Sequence, residues 1–148
     1  MRLFVDIEFT DFIHCELISV ALVADDGREF YAECSDFDRT ACSEFVRAAV
    51  LPQLGQPPNR SFTRDVLRIE LLAWLDQFAQ EPDRSLCFDY AGDWDLLLDL
   101  LDELPTGWRA LLVNAQIDLS RLEDYYRRHG GRHHALCDAH AICYAMKD

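Results

Sequence analysis

Residues 2–9, Arg-Leu-Phe-Val-Asp-Ile-Glu-Phe, decide how the rest of the chain is read. Leu3, Phe4, Val5, Ile7 and Phe9 put apolar side chains on both faces of an extended segment, which is the pattern of a central strand covered from both sides. Asp6 and Glu8 break the pattern near its end. Side chains alternate along a strand, so residues two apart share a face and both carboxylates point the same way. On a half-wet strand an Asp-x-Glu needs no explanation. At the end of a strand that is otherwise dry, two like charges repel unless a cation lies between them, and hard carboxylate oxygens suit Mg²⁺ or Mn²⁺.

Outward from this strand, residues 16–24 and 28–34 are rich in Val, Ile, Phe and Tyr, and Asp25-Asp26-Gly27 between them signals a hairpin. Beyond Asp36 the spacing turns helical, with Phe45, Val46, Ala49 and Val50 on one face before Pro52. Residues 52–61, with three prolines and a glycine, are expected to form a loop. Thr63 is the expected cap of a longer helix whose Leu67, Leu71, Trp74, Leu75 and Phe78 recur at helical spacing. Residues 85–90 read as a strand, 94–104 as a leucine-rich helix closed by Pro105, and 108–113 as another strand. Ser120-Arg-Leu-Glu123 has the spacing of a capping box and opens a helix to about Arg128, where Gly130-Gly131 supply the stop. A last helix is expected from about Ala135 to the C-terminus. No repeat or long linker divides the chain. Residues 1–148 therefore read as one α/β domain, a mixed five-stranded sheet with helices on both faces.

The 148 residues carry 14 Lys plus Arg against 27 Asp plus Glu, a formal net charge of −13, and are 50% hydrophobic. This excludes a disordered tail, a collagen-like repeat and a disulfide-dense miniature. It also argues against holding long nucleic acid on a basic face by counterion release, while leaving room for a metal site that handles phosphate. No apolar run reaches the roughly 18 residues of a membrane span, and Met1 to Phe9 lacks a signal-peptide pattern, so the chain is expected to be cytoplasmic with no membrane partner. Cys15, Cys34, Cys42, Cys87, Cys137 and Cys143 form no Cys-x-x-Cys pair and read as reduced thiols. The three-residue steps of His134, Cys137, His140 and Cys143 fit a packed helix face better than a zinc knuckle. Lys147 is the only lysine.

Two further segments carry candidate chemistry. Gly131-Arg-His-His-Ala-Leu-Cys-Asp138-Ala sets an imidazole, His133, on a flexible approach beside a fixed acid, Asp138. Tyr90-Ala-Gly-Asp-Trp-Asp-Leu-Leu-Leu brings Asp93 and Asp95 to the end of a strand and the start of a helix, where acids are common. Taken together and in this order, the three segments resemble the His-containing subtype of the DEDD 3′–5′ exonucleases, which have a ribonuclease H-like fold. Asp6 and Glu8 match the family's first motif, Trp94-Asp95-Leu-Leu its second, and His133 through Ala139 its third. Ala91 stands where many relatives have Asn, and Asp93 is an additional acid. The resemblance spans almost the whole chain and looks closest to the short, stand-alone bacterial exoribonucleases.

What the resemblance implies agrees with the chemistry of the residues. Asp6, Glu8, Asp95 and Asp138 would hold two Mg²⁺ or Mn²⁺ ions, with Asp6 bridging, and His133 would be the general base. Arg128 and Arg132, in an arginine cluster with Arg121 and Arg127, are candidate phosphate contacts, and Phe9 and Trp94 candidate stacking platforms for terminal bases. The implied activity is 3′–5′ exoribonucleolytic hydrolysis of RNA or short oligonucleotides, taken at a single-stranded 3′ end, to nucleoside 5′-monophosphates. By analogy with relatives of this size, the assembly would be a homodimer. A 3′–5′ exodeoxyribonuclease of the same family and a non-catalytic acidic metal-binding interaction domain remain open alternatives.

Overall fold

A computed structural model describes residues 1–146. The sheet is built from β1 (Arg2–Phe9), β2 (Leu17–Ala24), β3 (Glu29–Cys34), β4 (Ser61–Phe62), β5 (Arg84–Phe88) and β6 (Trp108–Leu112). Their order across the sheet is β4-β3-β2-β1-β5-β6. Strands β1 to β3 form an antiparallel meander, whereas β5 runs parallel to β1, β6 parallel to β5, and β4 parallel to β3. The sheet is thus mixed, as expected, with six strands rather than five. The extra strand is a two-residue piece at the end of the proline-rich loop, where Glu33 pairs with Ser61 and Cys34 with Phe62. Its shortness left no periodicity to read.

Helices α1 (Glu44–Ala49), α2 (Arg64–Asp76), α3 (Ala91–Leu101), α4 (Leu119–His129) and α5 (Ala135–Ala145) complete the fold. Leu67, Leu71, Leu75 and Phe78 of the α2 region and Leu97, Leu100 and Leu101 of α3 pack with Leu3, Val5 and Ile7 on one face of the sheet. Phe4 faces the other side with Ile142 and Ala145 of α5. Ala135 and Ala139 lie against Ala21, Val23 and Tyr31, where their small side chains let α5 approach the strands closely. Every residue of β2 is buried. No helix among the described residues is long and apolar enough to cross a membrane.

Several local expectations shift. The loop before α2 is capped by Asp36, whose Oδ1 accepts from Arg64 N at 2.9 Å, while the Thr63 side chain makes no cap bond. The helix expected at residues 94–104 begins earlier, at Ala91. Phe45, expected on the apolar face of α1, is 56% exposed while Val46 and Val50 are buried. The capping box at Ser120 does not form. Asp118 is the N-cap, accepting from Ser120 N at 2.9 Å and Arg121 N at 3.2 Å, and Glu123 instead pairs with Arg132. A carboxylate two residues earlier satisfies the free amides first and moves the helix start with it. The Gly130 stop is present, with a positive φ of +66°. Met146 leaves α5 to pair with Ile117, and residues 147 and 148 of the expected last helix lie outside the described residues.

Because α4 buries no residue of its own, its cap should matter. Asp118→Ala should destabilise the protein by about 1 kcal/mol, and Ser120→Ala by a few tenths at most, in urea melts. A larger loss for Ser120→Ala would restore the capping box.

Candidate metal and nuclease site

The ladder between β1 and β5 runs only from Arg2/Ser85 to Phe4/Cys87. Beyond it the two parallel strands part at their C-terminal ends, which is where an open α/β sheet forms a crevice. Asp6 and Glu8 sit on the β1 side of this opening, opposite Ala21 and Ser19 of β2. On the other side β5 ends at Phe88, Asp89 follows, and the first turn of α3 supplies Asp93. Asp138 comes down from the first turn of α5, and its Oδ2 accepts from His133 N at 2.9 Å.

These residues form two groups. Asp6, Asp89 and Asp93 each bring a carboxylate oxygen within 4.8 Å of the others, and Glu8, His133 and Asp138 do the same with an imidazole nitrogen and two carboxylates. Asp6 Oδ2 and Asp138 Oδ1 are buried and have no hydrogen-bond partner. Burial raises the Asp6 carboxyl well above its ordinary value, and the charges of Asp138, Asp93, Glu8 and Asp89 add to it. Burial and Asp138 push Glu8 up to about 8. Burial, with Asp89, Glu8 and Asp138, pushes Asp93 up to about 8 as well. Asp138 rises to about 6, mainly by burial, against the opposing influence of Tyr126, the His133 amide and Arg132. The His133 imidazole is lowered by burial and by neighbouring Arg132, which favours its neutral form.

The sequence-derived residues fall in different places. Asp6, Glu8, His133 and Asp138 are brought together. Asp95 is not among them: it is exposed and lines a separate groove with Phe9, Phe12, Tyr90 and Asp99. Two residues along a helix turn a side chain by about 200°, so with Ala91 already helical only one of Asp93 and Asp95 can face the sheet. Asp93, 3% exposed, is the one that does. Asp89 was not singled out from the sequence, because nothing in a strand-end acid distinguishes it until the strands are seen to part.

Arg132 borders the carboxylates together with Tyr126, its guanidinium 4.3 Å from that ring and 2.7 Å from Glu123 Oε1. Arg128 lies outside this opening and pairs with Asp124 at 2.7 Å. Phe9 is half-buried and stacks with Tyr90 at 6.3 Å, with the exposed Phe12 ring at 5.3 Å. Trp94 stacks on Phe88 at 5.4 Å and, partly buried, packs against the core. The histidine and cysteine series of α5 is used structurally: His134 stacks on Tyr31 at 4.7 Å, Cys137 Sγ donates to Gly130 O at 2.9 Å, and His140 meets Glu29 at 2.6 Å.

No protein-family model matches the chain. It is 42% identical over 77 residues to proteins named 3′–5′ exoribonuclease from Mycobacterium tuberculosis strains H37Rv and CDC 1551 / Oshkosh, an alignment covering 51% of this chain and 46% of each relative. The matched region is thus about half the length of these curated relatives. Among solved structures, cell-death related nuclease 4 (CRN-4) superposes with a TM-score of 0.58 at 18% identity, over 96% of this chain and 60% of that one. The six-stranded mixed sheet with its flanking helices is therefore similar to a nuclease fold, and consistent with the ribonuclease H-like architecture implied by the sequence motifs.

Proposed function

We propose that the chain is a metal-dependent 3′–5′ exonuclease that removes nucleoside 5′-monophosphates from the single-stranded 3′ ends of RNA or short oligonucleotides. The observation that carries this reading is the pair of buried, unpartnered carboxylate oxygens, Asp6 Oδ2 and Asp138 Oδ1, inside a cluster of acids. Buried charge without a partner is costly, and a hard divalent cation is the partner that several carboxylates at once would serve. The names of the aligned relatives support the choice of RNA.

Asp6, Asp89 and Asp93 would hold one Mg²⁺ or Mn²⁺ ion, and Glu8 with Asp138 a second. Asp6, whose carboxyl feels the charge of all four other acids, would be the residue shared between them. Such ions, when bound, stabilise negative charge on the attacking and leaving oxygens of a phosphodiester. His133, whose pKa is lowered by burial and by Arg132, would accept the proton of the attacking water. Arg132 would turn from Glu123 toward a substrate phosphate. Phe9 and Tyr90 would take the terminal base against their stacked rings.

Without bound metal, the carboxylates make the site sensitive to pH. The folded-state values of Glu8 and Asp93, about 8, lie above their ordinary 4.5 and 3.8, so the folded protein binds more protons than the unfolded chain between those limits. Stability of the metal-free protein should therefore fall as pH rises from about 5 to 8. Asp93→Asn should flatten this fall, and Mg²⁺ or Mn²⁺ should offset it in the wild type. Thermal melts across the window check both, and an equal slope in wild type and variant would contradict the assignment.

On a 5′-labelled RNA ladder, Mg²⁺ or Mn²⁺ should support stepwise shortening from the 3′ end, and excess EDTA should stop it. Shortening that continues in chelator would remove the metal from the reading, and a matched DNA ladder reports the sugar preference. In the same assay Asp93→Asn should abolish turnover while Asp95→Asn stays within a few-fold of wild type. The reverse outcome would move the metal set to Asp95. His133→Ala should lower kcat by about 10²–10⁴ with little change in KM, as expected on losing a general base.

A further inference from the structure

Before His133 the chain offers little stiffness of its own. Gly130 and Gly131 both have positive φ, at +66° and +75°, and so has His133 itself at +67°, which residues with a side chain rarely adopt. A general base on such a turn needs something outside the turn to fix it. Gln53, on the short 3₁₀ turn Leu51–Gln53 after α1, reaches across some eighty residues of sequence to do so. Its Nε2 lies 2.8 Å from Ala49 O, 2.9 Å from Arg132 O and 3.1 Å from His133 O. All three neighbours are carbonyls, so only the donor end of the amide fits there.

The two peptide groups flanking the His133 Cα are thereby both bound, the N–H by Asp138 and the C=O by Gln53. From the same segment Phe45 meets the His133 imidazole edge-on, 4.9 Å between ring centroids at 87°. The segment is itself tied to the sheet. Ser43 N donates to Thr10 O at 3.0 Å, just past β1, and Gly55 N donates to Glu33 Oε1 at 2.8 Å. Val46 and Val50 are buried beneath it with Ile18.

We infer that Gln53 is a positioning residue which, with Phe45, holds His133 over the carboxylate cluster and so sets the geometry of proton transfer. The catalytic part of this inference rests on the reading of His133 as the proton acceptor. Gln53→Met keeps the length and loses the donor, whereas Gln53→Glu sets a carboxylate against three carbonyl oxygens.

In the metal-free protein, amide exchange at His133 should rise about tenfold in Gln53→Met, with loss of the ring-current shift that Phe45 imposes on the imidazole protons. In the RNA assay the same variant should lower kcat about tenfold and leave KM within about twofold, and Gln53→Glu should do worse. Melting curves of both variants verify that the fold is kept, which the half-exposed place of Gln53 favours. In the His133→Ala background the effect of Gln53→Met on kcat should vanish. Unchanged exchange and ring shifts at His133 would overturn the clamp. A kcat loss that persists in full without His133 would overturn its route through that residue. If His133→Ala alone retains wild-type kcat, the general-base reading fails instead, and the exchange measurement, which needs no turnover, still decides whether Gln53 holds the turn.

Discussion

The organising constraint is the repulsion among carboxylates that the fold does not allow to separate. Asp6 and Glu8 project from β1, which is bonded to β2 along nearly its whole length and to β5 at its beginning. A carboxylate on a loop can swing into water; these two are fixed to the centre of a sheet. Asp93 and Asp138 meet them from the first turns of α3 and α5, where the free amides and the helix dipole favour negative charge. Burial disfavours the charge of each acid, and their convergence adds mutual repulsion to that cost. What remains to relieve it is uptake of protons or of a positive ion.

The parts of this arrangement that were legible in the sequence are those encoded locally. Residues 2–9 announce a doubly covered strand, and the two-residue spacing of Asp6 and Glu8 gives their shared face without any tertiary information. The hairpin at Asp25-Asp26-Gly27 and the stop at Gly130 are likewise local chemistry, since each needs the positive φ that glycine supplies. Asp93 and Asp95 could not be separated this way, because the answer depends on whether helix α3 starts at Ala91 or at Trp94. The misreading at Ser120 has the same origin, two capping candidates two residues apart with the earlier one winning. Asp89 and Gln53 were beyond reach altogether: the partners that give them a role, Asp6 for the one and the His133 turn for the other, lie far off in sequence, and neither residue type is unusual where it stands.

The near absence of lysine also acquires a physical account. Arg28 lies 4.0 Å from the centre of the Phe78 ring, Arg84 5.4 Å from that of Trp108, and Arg60 about equally near Phe30 and Phe62. Others bind backbone carbonyls, as Arg47 does at Cys42 and Thr40 and Arg68 at Leu101. A planar guanidinium can stack and donate in several directions at once, which a compact ammonium cannot. In an acidic chain this lets the few cations act as packing elements as well as charges.

The sheet has two ends of different character. The carboxylates gather where β1 and β5 part, whereas the hairpin between β2 and β3 lies at the opposite end, with Asp25 N bonded to Arg2 O at 3.0 Å. The turn leading into β6 lies there too, since Trp108 stands beside Arg84 at the start of β5. Both connections are exposed and close short gaps between strands or helices already held by the core. Added length costs a surface connection little conformational entropy, so these are the places where the chain can lengthen, accept a tag or be reconnected while the acidic end stays as it is.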